Sequence, residues 1–361
     1  MMEANTFFSN CYKEAREKFL AAADKSGGRV ESFKHPELGP EGELLFVDVA
    51  YFGAVNNTNA LVVISGTHGV EGFAGSGIQT GLMQQGFASN LPSNLSLVLI
   101  HALNPFGMAH LRRFTEDNID LNRNFGDHSL PSQSNLPYEQ LSDAIAPCSI
   151  SFWHEIKSWW RIIGFRLTAG NNALQQAVSQ GQYSYPKGLF YGGTSKTWSN
   201  ATIHSIVQRY LHDATKVVIV DVHTGLGQFA NAELILNSPI SSPEYQRAID
   251  IWGKERIYST DAGESVSVHI NTAMKMAFPK MLPDSEITAV ALEFGTLPPM
   301  KIFKALRTEN WLHHYGCSEF AKANKIKTSL LRAFYPDNND WKKAVWEIGR
   351  KVIESAVVSF H

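Results

Sequence analysis

The stretch LVVISGTHGVEGFAGSG, residues 61–77, sets a short apolar, β-favouring run directly before a glycine-rich turn that carries His68 and Glu71. Two chemistries compete for such a turn. A phosphate-cradling loop requires Lys followed by Ser or Thr at the helix start, and a dinucleotide loop requires G-x-G-x-x-G with an acid about 20 residues further on. Neither pattern is present. His68 and Glu71 stand at i and i+3, a spacing at which one short turn can direct both toward a single metal ion, with a third ligand supplied from elsewhere. On this stretch alone, a glycine turn without chemistry remains the alternative.

Working outward, ELLFVDVAYFG (43–53), ALVVISG (60–66) and LSLVLIHAL (95–103) are short β-rich runs bounded by Gly, Asn and Pro. GSGIQTGLMQQGF (75–87) between the last two reads as a helix. Strand, helix, strand in succession is the parallel crossover of an α/β protein, so the expected fold is a mixed, mainly parallel central sheet flanked by helices. Residues 6–24 have near-helical apolar spacing at Phe7, Tyr12, Ala15, Phe19 and Ala22. From about 127 to 150 the composition turns to Ser, Pro, Asn and Asp, which predicts a surface excursion or insertion rather than core. Helical patterns resume at 151–165, 171–181 and 201–213. A buried-looking strand KVVIVDVH (216–223) follows, then a strand at 286–296 and helical patterns at 300–334 and 339–359. No repeat or linker divides the chain, and the expectation is one catalytic domain over 1–361 with an insertion around 127–200.

Composition narrows the function classes. The chain has 361 residues, 44% hydrophobic and 18% charged, the balance of a folded protein able to bury a large core. A formal net charge of -2 offers no basic field for phosphate backbones or anionic bilayers, which argues against nucleic-acid and membrane partners. Cys11, Cys148 and Cys317 are too few and too scattered for a disulfide framework or a cysteine-based zinc site. The first residues lack the apolar run of a secretory signal, and no window supplies ~18 uncharged apolar residues. A cytoplasmic location is expected.

The candidate third ligand is His223, at the end of KVVIVDVH. In parallel α/β sheets, ligands gather outside the carboxyl ends of strands, and His68 and His223 both stand just past such ends. Two histidines and a glutamate leave zinc an open position for water, the arrangement of hydrolytic sites. Glu293 in AVALEFGT lies at a third strand end, as either a general base or one half of a salt bridge. LRRFTEDNIDLNRNF (111–125) concentrates Arg112, Arg113, Asp120, Asn122, Arg123 and Asn124. Such a run is either a solvated loop or a set of donors for a carboxylate and an oxyanion. No G-x-S-x-G elbow suggests a serine hydrolase.

HGVEG (68–72), NPFG (104–107), DLNRNF (120–125), DVHTG (221–225) and LEFGT (292–296) together resemble, in order and approximate spacing, the carboxypeptidase A-like zinc hydrolases. That superfamily includes aspartoacylase and succinylglutamate desuccinylase-like deacylases as well as peptidases. The resemblance spans about 60–300. It implies His68, Glu71 and His223 as zinc ligands, Glu293 as general base and acid, and Arg113 or its neighbour Arg112 as the oxyanion-stabilising arginine. Asn122 and Arg123 resemble the pair that grips a substrate carboxylate, and Asp120 the acid that orients a zinc histidine. The mobile tyrosine of digestive-type carboxypeptidases has no match.

The implied cofactor is one zinc ion, with another divalent transition metal or a second ion as alternatives. The implied activity is cleavage of an amide near a substrate carboxylate in a small peptide, or in an N-acyl amino acid as the runner-up. A metal- or peptide-binding protein without activity is the reading from another class. Oligomeric state is not legible.

Overall fold

Strand β3 (Asn59–Ile64) is buried over its last five residues, because helices cover the sheet on both sides of it. Leu61 and Val63 face one side and Val62 and Ile64 the other, as the two-residue period of a strand requires. The same division holds in β4 (Leu95–His101), where Leu97 and Leu99 oppose Val98 and Ile100. Full burial of each such side chain contributes roughly 1.5–3 kcal/mol. The computed structural model describes residues 4–54, 56–130, 134–265 and 267–360.

Eight strands among the described residues form one mixed sheet. The others are β1 (Arg29–Leu38), β2 (Leu44–Phe52), β5 (Lys216–Phe229), β6 (Ala232–Leu236), β7 (Ile257–Ser259) and β8 (Glu286–Gly295), and the order is β1-β2-β4-β3-β5-β8-β6-β7. The central strands β4, β3, β5 and β8 are all parallel, β1 and β2 pair antiparallel to their neighbours, and β6 is antiparallel to β8 but parallel to β7. The α/β expectation is met.

The helices are α1 (Tyr12–Lys25), α2 (Gly72–Gln84), α3 (Pro105–Ala109), α4 (Leu136–Ile145), α5 (Phe152–Ala169), α6 (Asn171–Ser179), α7 (Trp198–Tyr210), α8 (Pro243–Trp252), α9 (Phe278–Met281), α10 (Pro299–Tyr315), α11 (Phe320–Phe334) and α12 (Asn339–Val358). Helices α1, α2, α8 and α12 pack on one face, and α7 and α9 on the other. A third apolar cluster joins Tyr138 and Leu141 of α4, Ile302 and Leu306 of α10, and Leu330 and Phe334 of α11.

Several elements depart from the sequence expectations. The N-terminal helix starts at Tyr12, after a separate turn at Ala4–Phe7. The stretch 127–150 is not merely a surface excursion. Asn135 caps α4 by accepting from the Tyr138 amide, and Tyr138, Leu141 and Ile145 are buried; residues 131–133 lie outside the described residues. The helical pattern at 300–334 is two helices, broken around Gly316, whose φ is +73°. Strand β1 was not anticipated because it is an exposed edge strand rich in polar residues and carries Pro36.

The glycine turn has a steric reason. A Cβ on Gly69 would lie 2.0 Å from the carbonyl carbon of Gly107, so HGVEG and NPFG meet backbone to backbone. Asn104 holds the second partner, accepting from Gly107 N (2.8 Å) and donating to Arg113 O (3.3 Å). Gly69 and Val70 in turn donate to the carbonyls of Arg113 and Arg112.

Candidate metal centre

In the sheet, β4 follows β3 on one side and β5 adjoins it on the other, so the chain's path reverses between β3 and β5. A crevice outside the strand ends forms at such a point. His68 and the turn Gly69–Glu71 follow β3, His223 lies on β5, and Glu293 is its register partner on β8. One ligand atom from each of His68, Glu71 and His223 can be chosen so that all lie within 4.8 Å of one another, and all three residues are buried.

Both imidazoles turn Nδ1 toward the Glu71 carboxylate. His68 Nδ1 is 3.1 Å from Oε1 and His223 Nδ1 is 3.1 Å from Oε2. Each Nε2 faces a different acid, Asp120 Oδ1 at 3.0 Å for His68 and Asp221 Oδ2 at 2.7 Å for His223. A carboxylate on Nε2 favours the proton there and leaves the Nδ1 lone pair for a metal. His68 Nδ1 lies close to Glu71 but, among the described residues, makes no hydrogen bond, although it is a buried polar atom. That orphaned nitrogen, the second imidazole and the intervening carboxylate fit a divalent transition metal.

The charges around the cluster are strongly coupled. Burial opposes ionisation of Glu71, but His68 and Arg113 outweigh it and hold the carboxyl below its usual range. Burial likewise opposes ionisation of Asp120, which Arg113 and His68 hold well below normal. His223 is driven down by burial yet raised to about 10 overall by Asp221 and Glu71. A metal ion there would compete with that proton. Glu293 goes the other way, raised to about 7 by burial and by the charge of Glu71. Its Oε1 accepts from Leu226 N at 2.9 Å.

Arg113 faces the cluster. It bonds Glu71 through Nη1, Asp120 Oδ2 through Nε (3.1 Å), and approaches His68 Nε2 with Nη2 (3.0 Å). Arg112 is not brought to the site. Successive side chains here diverge, and Arg112 is buried against Glu309 Oε1 (2.9 Å) and Asn118 Oδ1 (2.8 Å). Asn122 lies beside His223, 3.4 Å from Nε2, and accepts from Met274 N at 3.0 Å. Arg123 borders the same cavity, with Nε donating to Gln180 O (3.2 Å), Nη1 to Asn122 O (3.3 Å) and Nη2 to Ser179 O. The second asparagine of DLNRNF is structural: Asn124 donates to Gly192 O and Ser195 O.

Sequence reasoning missed Asp221. The signal was available, since residues i and i+2 of a strand share a face and Asp221 stands two before His223. Thr67 Oγ1 fixes it by donating to Oδ1 at 2.7 Å. Lys275, which also borders the cavity, had no sequence signal. The cavity itself measures about 140 Å³. Beyond Glu293, Leu226 and Phe190 it adjoins an apolar chamber of about 920 Å³ lined by Val178, Phe303 and Leu306.

These features define an α/β protein with a buried His-Glu-His cluster at the strand ends of its sheet. The chain belongs to the family described as "Protein of unknown function (DUF2817)", whose model matches residues 8–348. No curated protein matches it. Among solved structures it is similar to bovine thrombin-activatable fibrinolysis inhibitor, at 11% identity over 98% of each chain and a TM-score of 0.47. It is also similar to a metallo-carboxypeptidase from Burkholderia cenocepacia, at 10% identity, 96% of this chain, 69% of that one and 0.48. A third is the succinylglutamate desuccinylase from Chromobacterium violaceum, at 14%, 89%, 74% and 0.39.

Proposed function

We propose that the protein is a metal-dependent, carboxypeptidase-like hydrolase that cleaves an amide bond near a substrate carboxylate, with His68, Glu71 and His223 holding one zinc ion. The observation that supports this reading is the convergence of two Nδ1 atoms on Glu71, with Glu293 on the adjacent strand at the wall of the same cavity. Two imidazoles and a carboxylate suit zinc among the divalent metals. When bound, such an ion supplies Lewis acidity to a carbonyl oxygen and to a water molecule.

The chain's own groups account for the remaining roles. Glu293 takes a proton from the attacking water and returns it to the departing amine. Arg113 offers a cation to the developing oxyanion, and Asn122 with Arg123 receives the substrate carboxylate. Asp120 and Asp221 hold the two imidazoles in one orientation. The single catalytic domain expected over 1–361 belongs to this proposal, as does a cytoplasmic location. Among the described residues no helix is long and apolar enough to cross a membrane.

N-acyl amino acid deacylation is the second reading. The apolar chamber beside Glu293 supports it, since it offers an acyl chain room on the far side of the scissile bond. Peptides with free C-termini and N-acyl amino acids, assayed with and without a chelator, test both. Hydrolysis of at least one class, lost on chelation and restored by zinc, is expected. A metal-loaded protein that cleaves neither class would leave a binding protein without activity. Asp221→Asn probes the imidazole support separately: metal affinity measured by calorimetry should fall about 10–100-fold, and an unchanged affinity would count against that role.

A further inference from the structure

We infer that the outer face of α5 is a membrane-docking surface, which lays the helix flat on a bilayer rich in anionic lipid with Trp153 and Trp160 set among the headgroups. This goes beyond the hydrolase reading and does not depend on it.

Helix α5 has two apolar faces. The inner one packs on the fold: Ser158 and Ile162 are buried, and Trp159 meets Phe303 of α10 edge to face, with ring centroids 6.1 Å apart. The outer one runs through Trp153, Ile156, Trp160, Ile163 and Leu167, in steps of three and four residues that keep to one side of a helix. Phe152, Trp153, Trp160 and Leu167 are each at least 70% exposed. With roughly 150–250 Å² in each aromatic side chain, the stripe exposes on the order of 500 Å², the size at which an apolar patch on a single chain is often functional. A Cβ on Gly164 beside the stripe would meet nothing within 4 Å, so among the described residues none lies over that turn.

The charges decide what kind of partner suits this face. By the same helical geometry, Lys157 and Arg161 border the stripe on one side and Arg166 on the other. The one acid of the helix, Glu155, is neutralised within the fold, where its Oε2 accepts from Arg307 Nη1 and Trp159 Nε1, both at 3.0 Å. Arg161 Nη1 is 3.9 Å from the exposed Asp143 carboxylate, a loose surface pair of little strength. Helix α6 adds no charge, so the two helices together carry three cations and one acid. The formal net charge of -2 belongs to the whole chain, whereas fields at physiological salt decay within about 8 Å, so the local positive balance governs this face.

A second copy packed on the stripe would bring these cations toward their own counterparts across a two-fold axis. Anionic headgroups complement them instead. Tryptophan suits that depth, with its ring among apolar groups and its N–H still wet. A basic amphipathic helix of 18 residues with Trp, Phe and Leu on its apolar face has the composition of one that lies in an interface. Arg166, at the C-terminal end of α5, and Asn171 and Leu174 of α6 also border the apolar chamber. Docking therefore holds that chamber beside the bilayer.

Co-sedimentation with vesicles tests the surface. Wild-type protein should bind vesicles of equimolar phosphatidylcholine and phosphatidylserine at least about tenfold more tightly than vesicles of phosphatidylcholine alone, and lose most of that difference in high salt. Trp153→Ser combined with Trp160→Ser should weaken binding to the anionic vesicles at least about tenfold, through the loss of two interfacial rings. Lys157→Glu, a separate change on the exposed helix surface, should weaken it about tenfold or more, since each unit of charge near an anionic surface is worth about fivefold. Thermal unfolding shows which variants keep the wild-type fold. No binding by the wild type, equal binding to both vesicle types, or undiminished binding in either folded variant overturns the surface. A wild-type dimer in light scattering that the tryptophan variant converts to monomer, without binding to vesicles, assigns the stripe to a second copy and likewise overturns it. None of these measurements involves turnover, so the hydrolase reading stands or falls separately.

Discussion

Glu293→Gln should lower turnover about 10²–10⁴-fold, the contribution typical of a positioned general base, while metal occupancy stays at the wild-type level. Glutamine preserves the volume of the side chain, and its carbonyl can still accept from Leu226 N, the contact that now fixes Oε1. The strand is unaffected because the β5–β8 register, His223 opposite Glu293, is set by backbone pairing. What disappears is the group able to take and return a proton. Steady-state rates with metal content measured on the same samples separate the outcomes. Unchanged turnover at full occupancy would remove Glu293 from the proposed role, whereas lost occupancy would show that it supports the centre instead.

The second large effect is expected from His223→Ala. Apparent binding energies of about 10–16 kcal/mol for zinc shared among four ligands come to roughly 3 kcal/mol for each, or at least about a hundredfold in affinity. Asp221 and Glu71 would also lose the imidazole that now lies between them. Competition with a chelator of known affinity measures the change. If His223→Ala binds zinc as tightly as the wild type, the ligand set proposed here is wrong. Arg112→Ala provides a contrasting background, since that side chain is engaged with Glu309 and Asn118 outside the cavity.

Much of the site was legible because its parts are local. The apolar run before His68, the three-residue step to Glu71 and the strand ends at His223 and Glu293 are visible without coordinates. The resemblance of five ordered motifs then brought distant segments into one expectation. Arg112 and Arg113 could not be distinguished in this way, because adjacent residues have identical local surroundings in a sequence. Their different partners come from α10 in one case and from the β3 turn in the other.

The sequence by itself determined the alternation of buried strands and helices, since continuous apolar runs can be accommodated only between covering layers. It also determined the donor types available at the strand ends. Tertiary structure alone decided that β3 and β5 are neighbours, that it is His68 which Asp120 faces, and that α4 contributes to a buried cluster. It also brought Lys275 into the cavity, although its turn is joined to Asn122 across 152 positions of chain. The physical reason is that side-chain chemistry and periodicity act over a few residues, whereas strand order, register and the closing of cavities depend on contacts between remote segments.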